Sequence, residues 1–112
     1  MSDLSQQHCE PCEGGIEPMS PGEAEEYLEK VDGWSLATVP KIKRQYDFKD
    51  FVTAIDFVNR VAEIAEDEGH HPNLEIDYNT VMVTVWTHAI DGLSENDFIL
   101  AAKIDDAAED FE

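Results

Sequence analysis

The sequence predicts an α+β fold: a single four-stranded antiparallel sheet with three helices on one face, in the order α-β-β-α-β-β-α. Three features carry that reading. Capping boxes open helices at Ser20 with Glu23 and at Ser94 with Asp97. An apolar stripe at three- and four-residue steps runs through 51–65. Stretches of period-two alternation flank it on both sides, at 42–48 and 74–86.

The elements follow in order. Ser20 is a good N-cap, Pro21 suits the first helical position, and Ala24 or Tyr27 shares a face with Leu28 and Val31 before Asp32-Gly33 ends the helix. Trp34 and Leu36, then Ile42 to Phe48, read as two strands joined near Pro40. Ile42, Tyr46 and Phe48 point one way, while Lys43, Gln45 and Asp47 point the other. Asp50 can cap the longest helix, whose expected inward face is Phe51, Ala54, Ile55, Val58, Val61, Ala62 and Ala65. Glu63, Glu66, Asp67 and Glu68 crowd its far end, against the helix dipole. Local rules broken in this way gather at functional sites. Gly69 closes the helix. Leu74, Ile76 and Tyr78 then pair with Val81–Trp86 in a hairpin turning at Asn79-Thr80. Val81, Val83 and Val85 face one side of it, and Met82, Thr84 and Trp86 the other. One side calls for helices and the other for a partner chain, so a homo-oligomer is expected. The last helix turns Phe98, Leu100, Ala101 and Ile104 inward.

At 112 residues the chain fits one domain. Residues 20–112 form it, and 1–19, with scattered acids and no period, are an N-terminal leader segment that is flexible or irregularly packed. No stretch reaches the roughly 18 apolar residues of a membrane span, and no secretory signal opens the chain, so the expected localisation is cytoplasmic. Acidic residues number 26 against 7 basic, a formal net charge of −19, which makes nucleic-acid binding unfavourable because it requires neutralised phosphates. With 42% hydrophobic residues, such an acidic chain reads as a folded domain from a halophilic source, where salt screens the self-repulsion. The only cysteines, Cys9 and Cys12, have the spacing of a redox pair or half a zinc site. No second such pair exists, and Glu10 and Glu13 disfavour thiolates, so two reduced thiols are expected there.

Three of the four histidines lie at element ends. His70 and His71 precede the third strand, and His88 follows the fourth. Hairpin geometry alone puts the start of one strand beside the end of the other, so the three imidazoles converge on one rim. They could serve acid–base chemistry, hold a metal with one position open, or be solvated loop residues.

The run Glu66-x-x-x-His70-His71-Pro72 continues to Tyr78 after five residues, to His88 after nine more and to Asp97 after eight more. This pattern resembles the signature of the pterin-4a-carbinolamine dehydratase family. Gly33-Trp34, Phe48-x-x-Phe51, Val61-Ala62-x-x-Ala65-Glu66, Thr87-His88, Gly92-Leu93-Ser94 and Leu100-Ala101 are similar too, over about residues 20 to 106, and the leader Cys-x-x-Cys-Glu-Gly-Gly is similar to bacterial members. The resemblance implies a 4a-hydroxytetrahydrobiopterin dehydratase, a lyase that removes water from a 4a-hydroxy-tetrahydropterin to give quinonoid dihydropterin, without metal or cofactor. It implies His70, His71, His88 and Glu66 as catalytic residues, with His71 the base and His70 and His88 on the 4a-hydroxyl. Substrate contacts are implied for Gly69, His70, His71, Trp86, Thr87, His88, Ala89 and Trp34, with Asp97 and Tyr78 supporting. Asp97 also reads as the third residue of a capping box, and Trp34 and Trp86 as core. A homodimer or homotetramer is implied. The alternatives are a non-catalytic dimerisation or binding module of the same fold, since animal members also act as dimerisation cofactors for a homeodomain transcription factor, and a three-histidine metal site.

Overall fold

The structure is a computed structural model that describes residues 3–7, 18–31, 33–37 and 41–111. Its principal elements run α1 (Pro21–Leu28), β1 (Ser35–Leu36), β2 (Ile42–Asp47), α2 (Phe51–Glu68), β3 (Asn73–Asp77), β4 (Thr80–Val85) and α3 (Glu95–Ala108). The strands form one antiparallel sheet, as expected, and their order in it is β1-β2-β4-β3. Because β2 and β4 are neighbours without being consecutive, α2 crosses the sheet between them, which brings its C-terminal end to the rim where β3 begins.

The sheet's inner face carries Ile42, Tyr46, Val81, Val83 and Val85, all buried. Phe57 and Val61 of α2 and Phe98, Leu100, Ala101 and Ile104 of α3 belong to the same core cluster. Removing this much apolar surface from water is the main force holding the helices to the sheet. Phe57 sits in an aromatic group with Tyr46 and Phe48, both ring centroids 4.9 Å away. The buried stripe of α2 is therefore Ala54, Phe57, Val61 and Ala65. This corrects the expected inward face: Phe51 and Ala62 are exposed, and Ile55 and Val58 are half-buried. The centre of the stripe is turned by roughly 50°, about half a residue step, so Ala54, Val61 and Ala65 stay inward while Phe57 replaces the flank at Phe51 and Ala62.

Two smaller corrections concern ends. Asp77 pairs with Thr80, so the hairpin turns at Tyr78-Asn79 rather than at Asn79-Thr80. Tyr78 takes the left-handed conformation there, at φ 54. The first helix stops at Leu28, earlier than Asp32-Gly33 suggests, although Val31 is buried beyond it. Pro40, Cys9 and Cys12 lie outside the described residues. Near the start of the chain, Asp3–Gln6 forms a short 3-10 turn whose Leu4 is buried in the core cluster. Further on, Met19 donates its backbone N–H to the Leu93 carbonyl at 2.8 Å.

The acids at the end of α2 are largely partnered, which offsets their unfavourable position on the helix dipole. Glu63 meets Arg60 at 2.9 Å, Glu68 meets Lys103 at 3.7 Å, and Glu66 meets His71. Among the described residues, no helix is long and apolar enough to cross a membrane.

Candidate active site

The rim at the start of β3 is assembled from three chain segments. The first leaves α2. Gly69 caps the helix in the left-handed conformation, at φ 65, and its N–H returns to the Ala65 carbonyl. Glycine adopts this backbone without the Cβ penalty, and it turns the chain sharply enough to aim His70 back at α3. The second segment is β4 and the turn after it. Asn73 pairs with Thr84, and continuing that register sets His71 opposite Trp86 and His70 opposite Thr87. The third segment is the N-terminus of α3, which carries Ser94 and Asp97.

Asp97 joins all three. Its carboxylate is completely buried; Oδ1 lies 2.6 Å from His70 Nε2. Oδ2 accepts from the Thr87 hydroxyl at 2.9 Å and from the Ser94 backbone N–H at 2.9 Å. Thr87 and Ser94 hydroxyls also lie 2.8 Å apart. A buried carboxylate is stable only when its lone pairs are filled, and three donors fill these. An ionised carboxylate can only accept, so against it His70 Nε2 is the donor to Oδ1, and His70 Nδ1 is left as that ring's other functional nitrogen. The capping role and the histidine contact thus belong to one side chain.

His71 Nε2 lies 2.5 Å from Glu66 Oε2, and both side chains are mostly exposed. Glu66 reaches His71, the more exposed of the adjacent imidazoles, and Asp97 holds the inner one. His88 begins a 3-10 turn (His88–Ile90). The turn is closed by reciprocal backbone bonds between Thr87 and Gly92, at 2.8 and 3.3 Å. Its ring stacks on Trp86 with centroids 4.2 Å apart and planes 13° from parallel. On that indole also sits the Lys41 ammonium, 3.9 Å from the ring centroid.

Of the residues singled out in the sequence, Glu66, Gly69, His70, His71, Trp86, Thr87, His88, Ala89 and Asp97 all belong to these three segments. Two do not. Tyr78 is an exposed turn residue at the far end of the hairpin, roughly 17 Å from the start of β3 by strand rise. Trp34 is buried beside β1, at the opposite edge of the sheet from β3. There its indole N–H donates to Asp105 Oδ1 at 3.0 Å. Arg44 Nη1 donates to the same oxygen at 2.8 Å, and the Tyr46 hydroxyl donates to it as well. Burial raises the Asp105 carboxyl above its ordinary range, opposed by these three donors, and burial together with the Asp105 charge pushes the Tyr46 hydroxyl up. That cluster ties α3 to the sheet and contains no imidazole.

The rim can take up and release protons: it offers three imidazoles, two of them oriented by carboxylates. Among the described residues, no three His, Cys, Asp or Glu side chains are grouped closely enough to hold a metal ion. A separate groove of about 540 Å³ between α2 and α3 is lined by Arg60, Glu63, Asp67, Glu68, Lys103 and Asp106. It has the volume of a ligand site but no histidine, and much of its charge is already paired. The sequence reading did not single out Lys41. The signal was present, since Lys41 and Trp86 continue the β2–β4 register, but the adjacency of those two strands is a tertiary fact.

The profile of the family described as "Pterin 4 alpha carbinolamine dehydratase" matches residues 17–107. A Rubrobacter xylanophilus protein provisionally named pterin-4-alpha-carbinolamine dehydratase is 42% identical over 94% of this chain and 98% of its own. Pterin-4-alpha-carbinolamine dehydratase 2, mitochondrial, of Arabidopsis thaliana is 47% identical over 95% of this chain and 59% of its own. Among solved structures, a Brucella melitensis protein described as a transcriptional coactivator/pterin dehydratase superposes with a TM-score of 0.79 at 36% identity, covering 82% of this chain and 99% of that one. A pterin dehydratase-like protein described as a RuBisCO assembly factor in the alpha-carboxysome has a TM-score of 0.60 at 22% identity, over 68% of this chain and 89% of its own, a likeness of fold alone.

Proposed function

The chain belongs to the pterin-4a-carbinolamine dehydratase family, and from that membership we propose that it is a carbon–oxygen lyase that dehydrates 4a-hydroxy-tetrahydropterins to quinonoid dihydropterins, as in tetrahydrobiopterin recycling. The C4a–O bond breaks, the hydroxyl leaves as water after receiving a proton, and a ring nitrogen of the pterin gives one up. No redox step or external reactant is needed. Imidazoles suit both transfers, because their ordinary pKa near 6.5 keeps acid and base forms available at neutral pH. In this reading His71, oriented by Glu66, is the base, while His70 and His88 contact the 4a-hydroxyl.

The observation that carries the proposal is the Asp97 carboxylate bridging His70 to Thr87, the residue before His88. It supports gathering the segments that carry His70 and His88 around one substrate. The experiment is direct: purified protein is added to a 4a-hydroxy-tetrahydropterin and loss of the substrate is followed against the spontaneous rate. Acceleration that largely disappears in His71→Ala is the expected result. No acceleration by the wild-type protein would favour a binding module instead, and a folded His71→Ala variant with full activity would take the base role away from His71.

We also propose self-association. The edge strand β3 carries exposed Ile76 and is followed by exposed Tyr78 in the turn, and an unpaired strand edge with apolar side chains invites a second copy. Light scattering giving a dimer or tetramer is expected, and a strict monomer at micromolar concentration contradicts it.

A further inference from the structure

We infer that Lys41 and Trp86 form a positioning device for the His88 imidazole, so that Trp86 acts on the reaction through His88 and not as a stacking platform for the substrate. The inference rests on the dehydratase reading and assigns two residues to it. Lys41 and Trp86 follow directly from the pairing of Ile42 with Val85, so they are cross-strand neighbours on the same face of the sheet. His88 lies two residues beyond Trp86, and its ring comes back over the indole at 4.2 Å and 13°. The Lys41 ammonium lies 3.9 Å from the indole centroid. An ammonium and an imidazole at these distances leave little of the indole face open to a flat bicyclic ligand.

The need for such a device follows from His88's surroundings. His70 has Asp97 and His71 has Glu66 to orient them. His88 is exposed, sits in a three-residue 3-10 turn, and makes its described ring contact with Trp86. An exposed imidazole on a short turn samples several rotamers, and a parallel stack removes most of that freedom. Trp86 in turn is half-buried on the open face of the sheet, where the Lys41 ammonium over its ring adds a cation–π contact that limits its own motion. Positioning of this kind is felt in turnover, because a reacting group displaced by a fraction of an ångström slows the chemical step without weakening binding to match.

The test uses the full chain with Trp86→Leu, Trp86→Phe and Lys41→Gln, read by steady-state dehydration kinetics and by the histidine ring-proton NMR signals. In the wild type, the indole ring current should hold the His88 signals upfield of those of His71. Trp86→Leu should move them downfield and lower kcat roughly three- to tenfold, the range one stacked aromatic pair is worth, with KM within about twofold. Trp86→Phe should restore most of both readouts, and Lys41→Gln should give a partial loss of each. A raised KM at unchanged kcat in Trp86→Leu would make Trp86 a substrate platform and overturn the inference. Unchanged His88 signals in Trp86→Leu would overturn it whether or not the protein dehydrates pterins. A wild type with the upfield His88 signals but no dehydratase activity would sink the functional reading and leave the stack standing, so the two failures are separable.

Discussion

Replacing Asp97 with asparagine separates the two tasks of that side chain. The carboxylate is completely buried and is bonded from three sides, by His70 at 2.6 Å and by Thr87 and Ser94 at 2.9 Å each. An asparagine can set its carbonyl oxygen where Oδ2 was, keeping the Ser94 and Thr87 bonds and the helix cap. Its NH₂ group then faces His70 Nε2, which must accept instead of donate. The imidazole is driven to the other tautomer, with the proton on Nδ1, the nitrogen that the native arrangement leaves for chemistry. Stability should fall by only about 1–2 kcal/mol, the scale of a perturbed cap. Activity should fall about 10- to 100-fold, the scale seen when the partner orienting a functional histidine is changed. Asp97→Ala behaves differently, because it strands donors in the interior at about 1–3 kcal/mol each. The Thr87 hydroxyl can turn to Ser94 Oγ, 2.8 Å away, so the total should stay near 2–5 kcal/mol, lowering Tm by roughly 10–20 °C. Dehydration kinetics and a circular-dichroism melt measure the two effects. An asparagine variant with full activity and a lowered Tm would show that Asp97 caps α3 and does nothing for His70.

Three further outcomes are expected. Burial raises the folded-state pKa of Tyr46 above the unfolded value near 10, so its contribution to stability is intact below about pH 10 and is lost as pH rises beyond it. Stability against urea should fall across that alkaline range, less steeply in Tyr46→Phe, and equal slopes would contradict this. A Cβ at buried Gly92 would lie 2.6 Å from Pro18 Cβ, so Gly92→Ala should push the 18–19 segment off the turn that carries His88 and cost about 1–3 kcal/mol by denaturant titration; an unchanged midpoint would refute it. With a net charge of −19, self-repulsion should make Tm climb as potassium chloride goes from 10 mM to 1 M, over which the screening length falls from about 30 to 3 Å; a flat Tm would mean that the charges are too dispersed to matter.

The order of elements was readable because period and caps agree at each one, as at Ser20 with Glu23 and at Ser94 with Asp97. The face of α2 was less so. Phe51, Ile55, Val58 and Ala62 are apolar like the true stripe, and only packing against Tyr46 and Phe48 selects Phe57 as its centre. Hairpin geometry was enough to bring His70, His71 and His88 to one end of the sheet. It could not say which carboxylate serves which ring, since Glu66 and Asp97 are both within reach and the left-handed turn at Gly69 decides the pairing. Trp34 and Tyr78 looked like site residues on motif alone. The strand order and the hairpin direction put one in the core beside β1 and the other at the distal turn.

The most direct test of the central claim is to follow the ring signals of all three histidines by NMR while the protein is titrated with a 7,8-dihydropterin as product analogue. The resonances of His70, His71 and His88 should shift together along one saturation curve. Movement of only one of them, or of none while the pterin binds elsewhere, would contradict a common site.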